Sequence, residues 1–575
     1  MVKLKNRASE NSWKLREQAP ESFRRRFPKQ PAWFSSMLYQ RGWRTHEDVE
    51  RFLNPAYPDD LHDPFALGGM VEAVQTIQGA IAAGELIVVH GDYDADGLTA
   101  AALLADALTQ LGATVETFVP SRYEEGYGVA AETLKRLQRE GAGLVITVDC
   151  GISDAVAIAA ARHAGLKVVV TDHHVPPEQL PEAEAVVNPN VPGDRYLNKG
   201  LTGVGVAFKV AQALFARSGW PAERREQAEK WLLDLVAIGT VADMAELRGE
   251  NRALVTYGLL VLKRTRRPGL NALWRTAGID RQTCNGETLG YAIAPRLNAP
   301  GRVSHARDAL RLLTTNDSAE AARLAAVLEQ ANQERQRLTL SAVAGARTRL
   351  VERREDERLI FIDGDWKSGV VGLVAGRLAR EYACPAIVVE RGESLSRGSV
   401  RSVPAFHVAE ALQAHGDLLH SYGGHAQAGG FTVKTERLGV FRERLQAFAR
   451  ESISVEALQP EITVDAELAG SEVTLDLFTY LDRLEPFGSG NPNPQFRLNA
   501  ARVESASVVG KDGSHLKLRL QLDGGPSLDA IGFGLGSRQE ELTPGWPIDV
   551  LGRPVINRFN GNNRLEWHVS DFRTR

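Results

Sequence analysis

A chain of 575 residues exceeds what one hydrophobic core supports, and at about 100–200 residues per domain it divides into three or four. Its 43% hydrophobic and 24% charged residues exclude the disordered and fibrous classes and describe an ordinary globular protein. The net charge of −4 excludes a globally basic nucleic-acid binder, so any polyanion must be held by local basic patches or by metal ions.

After a polar leader, the segment Val71 to Ala83 has helical periodicity, stops at Gly84, and is followed by the apolar run Leu86-Ile-Val-Val-His90. That order predicts a helix and then a buried strand. Leu144 to Asp149 and Lys167 to Asp172 repeat the strand pattern, with Ala- and Leu-rich helical sequence between them. Strands alternating with helices imply a parallel α/β sheet, and the polar residues fall at the C-terminal end of each run, where open α/β sheets place their ligands. From Asn316 to about Arg354 the composition predicts one long connector helix, of about 55 Å at about 1.5 Å per residue. A second α/β unit follows, with strands expected at 359–363, 386–390 and 398–402 and then the glycine-rich Gly423-Gly-His-Ala-Gln-Ala-Gly-Gly430. Beyond Pro460 short alternating segments predict an all-β barrel or sandwich.

Cys150, Cys284 and Cys384 lie far apart with no CxxC spacing, which argues against a disulfide framework or a cysteine zinc site and fits a reducing compartment. Residues 1–11 have no apolar signal-like stretch, and no apolar run reaches the roughly 20 residues needed to span a bilayer. A soluble, cytoplasmic protein is therefore expected.

The segment with most chemistry is His90-Gly-Asp-Tyr-Asp-Ala-Asp-Gly97, between a predicted strand and a predicted helix. Asp92, Asp94 and Asp96 alternate in a turn, and only cations make such crowding of carboxylates tolerable. A helix-capping acidic turn is the plainer alternative. A calcium EF-hand also begins DxDxDG, but its loop needs Glu at position twelve, which here is Leu103, and a preceding helix where this chain has a strand. Asp149 ends the second strand, Asp172-His173-His174 ends the third, and Asp243 follows Gly239-Thr-Val-Ala. Carboxylate and imidazole together suit Mn²⁺, Fe²⁺ or Zn²⁺, and a carboxylate-rich site also accepts Mg²⁺.

These residues resemble the DHH phosphoesterase superfamily, named for the motif present here as Asp172-His173-His174, and the resemblance runs over nearly the whole chain. It implies two divalent metal ions, Mn²⁺ or Mg²⁺. Asp149 would bridge them, with His90 and Asp94 on one ion, Asp96, His173 and Asp243 on the other, and His174 beside the phosphate. The second half resembles the family's DHHA1 domain, whose signature is carried by Gly423-Gly424-His425 through Gly430. Glycines let backbone amides approach a phosphate, and arginine binds one through its fork. Gly424, His425, Ser399, Arg401 and Arg302 match positions where RecJ-type members hold substrate phosphates.

The domain order, the segment Glu485-Pro-Phe-Gly-Ser-Gly-Asn-Pro-Asn-Pro494 and a C-terminal domain resembling an OB-fold narrow the resemblance to RecJ-type exonucleases. The expected architecture is a leader (1–45), a DHH α/β catalytic domain with a parallel sheet (46–315), a connector helix (316–354), a DHHA1 α/β domain (355–455) and an all-β OB-fold-like domain (460–575). Phe496, Arg497, Lys511, Lys517 and Arg519 are candidates for gripping a single strand there, although barrel packing explains the aromatic equally well. Gly200-Leu-Thr-Gly-Val-Gly205 looks like a dinucleotide fingerprint, yet Phe208 occupies the third glycine position, so no such cofactor is expected.

The resemblance implies a metal-dependent exonuclease acting on single-stranded DNA from the 5′ end, releasing 5′-mononucleotides in DNA repair and recombination. It also implies a monomer with a single-strand-binding protein and a RecQ-type helicase as partners. The competing expectations are a small-substrate phosphoesterase (pyrophosphatase or oligonucleotide hydrolase) and a non-catalytic single-strand-binding scaffold.

Overall fold

The computed structural model describes residues 12–122, 125–126, 128–350, 357–511, 513–559 and 562–575. The end of the expected connector, at 351–354, and the basic stretch 1–11 lie outside the described residues.

The first sheet has five parallel strands: β1 (Leu86–Gly91), β2 (Thr114–Phe118), β3 (Ala142–Val148), β4 (Lys167–Thr171) and β5 (Ala185–Val187), in the order β2-β1-β3-β4-β5. β1, β3 and β4 are almost wholly buried, because apolar clusters cover both faces of the sheet. A strand buried on both sides reads as a continuous hydrophobic run, which is why these three were visible in the sequence. The chain crosses one way from β1 to β2 and the other way to β3. In a doubly wound sheet the crevice at that reversal, at the C-terminal strand ends, receives the ligand. His90 and Asp149 emerge from this pair of strands.

The long helix is observed at Ser318–Leu350, about 50 Å at the standard rise. It does more than connect. Leu324, Ala325 and Leu328 are buried in the core of the first domain, and Val343, Ala346 and Leu350 in that of the second. The second domain is built on β6 (Ile360–Gly364), β7 (Ala386–Glu390), β8 (Leu395–Arg401), β9 (Leu419–Gly424) and β10 (Ala428–Lys434), in the order β9-β10-β8-β7-β6. The glycine-rich segment is a hairpin here, with Gly423 and Gly424 paired to Gly430 and Gly429.

The C-terminal strands are β11 (Ala466–Leu468), β12 (Phe496–Val509), β13 (His515–Gln521), β14 (Ser527–Gly532), β15 (Pro547–Phe559) and β16 (Asn562–Thr574). β12-β13-β14-β16-β15 close back onto β12, with the one parallel pair between β14 and β16. This is the five-stranded closed barrel of an OB-fold, and it leaves the sheet without free edges among those strands.

Residues 12–45, expected as a polar leader, are folded. Phe23, Phe27, Trp33, Phe34, Met37 and Leu38 are buried in the same apolar cluster as barrel residues Phe496, Trp567 and Phe572, and Ser12–Leu15 pairs in parallel with Glu461–Val464. The sequence hid this because charged residues and prolines interrupt its aromatics, so neither a 2.0 nor a 3.6 period stands out. Arg252 joins this unit to the first domain. Fully buried, it donates to the carbonyls of Phe52 (2.6 Å), Glu485 (2.6 Å) and Leu484 (3.2 Å) and lies over the Phe52 ring at 3.9 Å.

Candidate metal centre and phosphate cradle

Asp94 caps the helix Ala95–Gln110, its Oδ1 accepting from the amides of Asp96 (2.9 Å) and Gly97 (3.1 Å). The capping role that competed with the metal reading is thus present, but it occupies one oxygen of one carboxylate. Asp96, one position into that helix, is buried, and its carboxylate accepts from the amides of Gly203 (2.7 Å) and Val204 (2.9 Å) at the start of the helix Gly203–Ala216. Positive helix termini favour anions, so two helices hold this side chain in place.

Asp149 leaves β3 with φ of 61°, a left-handed conformation that costs a non-glycine residue about 1 kcal/mol or more and marks functional positions. Its Oδ1 lies 3.0 Å from His173 Nε2, yet neither atom makes a hydrogen bond, and neither do the buried His90 Nε2 and Asp92 Oδ1. Four buried polar atoms without partners are costly unless something outside the protein binds them. Ligand atoms of Asp92, Asp94 and Asp149 lie within 4.8 Å of one another, as do those of Asp96, His173 and Asp243, and those of Asp149, His173 and His174. An all-oxygen and imidazole donor set with partnerless atoms fits Mn²⁺ or Mg²⁺.

The electrostatics agree. Burial and then the neighbouring carboxylates push Asp92, Asp96 and Asp149 well above the usual carboxylate range, and burial with Asp94 raises Asp243 to about 7. Crowded acids of this kind resist ionising without a cation. Burial holds His90 and His173 at about 4, leaving neutral imidazoles able to act as ligands. His174 is the opposite case. Burial opposes its charge, but its 2.7 Å bond to Asp172, with Asp243 and Asp92 nearby, raises it to about 9.

Asp172 itself is fully occupied. Oδ1 accepts from the amides of His173 (2.7 Å) and His174 (3.1 Å) and from His174 Nδ1, while Oδ2 accepts from the amide of Ile152 (3.0 Å). The aspartate of the motif is therefore a positioning residue that orients the His174 ring and holds the backbone of both histidines.

The expected phosphate residues also converge. Arg302 donates to the carbonyl of Gly369 (3.2 Å) in the first turn of the helix Ser368–Tyr382. A Cβ on Gly372 of the same helix would lie 3.0 Å from Ser399 Oγ and 3.2 Å from Arg401 Nη2. Arg401 donates to Ser399 Oγ at 3.0 Å. Burial, and then Arg122, Arg335 and Arg401, lower Arg302 to about 10, so several guanidiniums share one place. Gly424 has φ of 148°, and a side chain there would strike Gly429 Cα at 2.5 Å. His425, exposed beside it, is close enough to disfavour the charge on His173.

Sequence reading misses several contributors. The resemblance leaves Asp92 out of the ligand set, whereas its carboxylate groups with Asp94 and Asp149; His90 is in none of the three groups, although its Nε2 is buried and partnerless. Arg122 lies over the Tyr93 ring at 4.6 Å with its Nε buried and unbonded, and nothing in its local sequence marks it. Gly203 and Gly239 permit close approach: a Cβ on Gly203 would lie 2.6 Å from Asp149 Oδ1, and one on Gly239 2.7 Å from Asp96 Oδ1. The discounted glycine pattern at 200–205 was the available signal. Its Gly203 and Val204 amides bind a carboxylate of the protein where a dinucleotide fingerprint would bind a phosphate.

In the barrel, Phe496 is fully buried in the core and offers no face to a base, the packing alternative stated above. Arg497 is bound to Asp549 (2.8 Å) and Arg519 to Asp529 (2.8 Å). Lys511 and Lys517 are exposed.

A parallel sheet with carboxylates and imidazoles gathered at its switch point, facing a second α/β domain that carries basic and glycine-rich elements, defines a DHH-type phosphoesterase. Family models agree: the DHH family N-terminal domain matches residues 86–240, the DHHA1 domain 356–451 and the RecJ OB domain 464–571. The chain is 37% identical over 541 residues to the single-stranded-DNA-specific exonuclease RecJ of Bacillus subtilis, covering 93% of this chain and 67% of the relative. It is 36% identical over 555 residues to that of Dickeya dadantii, covering 93% and 95%. The crystal structure of RecJ in complex with Mn²⁺ from Thermus thermophilus superposes with a TM-score of 0.83 at 32% identity, over 99% of this chain and 80% of that one. The chain belongs to the RecJ family.

Proposed function

We propose that this protein is a metal-dependent exonuclease that hydrolyses single-stranded DNA from the 5′ end and releases 5′-mononucleotides in DNA repair and recombination. The observation that carries the reading is the set of partnerless buried ligand atoms on His90, Asp92, Asp149 and His173, facing a phosphate cradle on a second domain. His90, Asp92, Asp94 and Asp149 would hold one divalent ion and Asp96, His173 and Asp243 the other, with Asp149 shared. Bound there, such ions supply Lewis-acid charge to a scissile phosphate and acidify the attacking water.

The protein's own groups do the rest. Asp172 orients His174 through the 2.7 Å bond to its Nδ1, so that His174 would donate to a phosphate oxygen. Arg302, Arg401 and Ser399, with the backbone at Gly424 and the His425 side chain, hold the 5′-terminal phosphate and set the distance to the bond that is cut. The barrel supplies the grip on the rest of the strand through its surface, since Phe496 is internal. That complete closed barrel favours a polymer over a small phosphate ester. Three buried free cysteines suit a cytoplasmic location. Among the described residues no helix is long and apolar enough to cross a membrane.

The test is nucleotide release from 5′- and 3′-labelled single strands and from blunt duplex, with Mn²⁺, Mg²⁺ or chelator. The 5′ label is expected to leave first, as a mononucleotide, with at least about 100-fold preference for single strands and no activity in chelator. Release of the 3′ label first, or undiminished activity in chelator, contradicts the proposal.

A further inference from the structure

The helical segment that carries Arg302 in its last turn contains a π-turn at Leu289–Ile293, a rare conformation concentrated at functional sites. Its buried residues Leu289, Ile293, Ala294 and Leu297 face the core. The opposite face carries Tyr291, Pro295, Asn298 and Arg302, at i, i+4, i+7 and i+11, a spacing that keeps them on one side. Two of the four already belong to the site. Asn298 accepts from the amide of Ala95 in the metal loop (2.7 Å), and Arg302 bonds the second domain. Tyr291 is 80% exposed.

Its place is fixed from below. Gly290 packs on the helix Ala222–Ala242, where a Cβ would lie 3.6 Å from Val241 Cγ1, two residues before Asp243. Met244, immediately after Asp243, has φ of 60° and is 74% exposed. A left-handed methionine in solvent combines backbone strain with an apolar side chain that gains nothing from burial. Single exposed apolar residues are common on protein surfaces. Here, however, the exposed tyrosine directly follows Gly290, the residue that packs on the Asp243 helix.

We propose that Tyr291 is a stacking platform for a nucleobase of the bound strand, holding the chain as its phosphate enters the metal centre. Tyr291 lies 11 residues from Arg302, about 16 Å along the helix, within reach of a strand a few nucleotides long. Stacking uses the face that every base shares, so the platform would be sequence-tolerant and would read the base and not the sugar-phosphate. The inference rests on the single-strand reading above and adds to it a residue for which none of the phosphate contacts accounts.

The test is a set of single strands with one abasic site walked through the first several positions, assayed for KM and kcat with the full-length wild type, Tyr291→Ala and Tyr291→Phe. For the wild type, one abasic position is expected to raise KM about tenfold. Tyr291→Ala should raise KM about tenfold on intact strands, with the loss in KM and not in kcat, and Tyr291→Phe should restore it. In Tyr291→Ala the penalty for that abasic position should vanish, since the two changes remove one interaction. An unchanged KM in Tyr291→Ala, or an abasic penalty that persists in it, overturns the inference and leaves the exonuclease reading intact. Absence of single-strand hydrolysis by the wild type overturns both.

Discussion

Asp149→Asn is expected to lower kcat on single-stranded DNA by about 10³-fold or more while the protein still folds and binds DNA. Asp149 groups with Asp92 and Asp94, and its Oδ1 lies 3.0 Å from His173, which groups with Asp96 and Asp243, so neutralising it should weaken both proposed ion sites together, where an outer hydrogen-bond partner would cost only about 10–100-fold. The amide keeps the shape, which matters because Asp149 is buried against Gly203. It also removes a carboxylate that burial, and then the Asp96, Asp94 and Asp92 charges, push well above the usual range. In the absence of metal the variant should therefore melt at or above the wild-type temperature, whereas Mn²⁺ should raise the melting temperature of the wild type and do little for the variant. Calorimetry with and without Mn²⁺, beside a nuclease assay, checks both halves. A variant that keeps hydrolysis within about tenfold of wild type would assign the chemistry elsewhere.

The second large effect concerns stability. Arg252 is a buried cation whose hydrogen bonds run to main-chain carbonyls of residues 52 and 483–486, and burial, with Arg41 nearby, lowers it to about 9. Keeping a charge there is costly, and taking the side chain away is costlier, because a cavity and several unsatisfied carbonyls remain. Arg252→Ala is expected to lose about 3–5 kcal/mol at this junction. Since the junction ties the first domain to the barrel and its N-terminal partner, unfolding should separate into distinct transitions in differential scanning calorimetry. A single transition at the wild-type temperature would show that the domains cohere by other contacts.

Much of this was legible in the sequence for a physical reason. Parallel strands buried on both faces have to be apolar throughout, so β1, β3 and β4 stood out, and polar residues at their ends marked the site before any geometry was known. Asp94, Asp96, Asp149 and His173 stood out because packing does not explain such residue types together, while Asp243, weak on its own, and the assignment of the set as ligands came from the family resemblance. What escaped was whatever acts through the main chain or through distance. The Gly203 and Val204 amides on Asp96 leave no side-chain signature, Arg122 reaches the cradle from a segment with no motif, and the aromatics of 23–38 find their core more than 400 residues away. Barrel residues show the converse. The chemistry of Phe496 suited base stacking and barrel packing equally; in a β-strand the alternation of faces decides, and it points inward.

That carboxylates and imidazoles from separate strand ends hold a pair of divalent ions is tested most directly by anomalous scattering from crystals of the wild-type protein grown with Mn²⁺. Two peaks are predicted, one against Asp92, Asp94 and Asp149 and one against Asp96, His173 and Asp243, with Asp149 touching both. A single peak, or peaks away from these side chains in a preparation that cuts DNA with Mn²⁺, would contradict it.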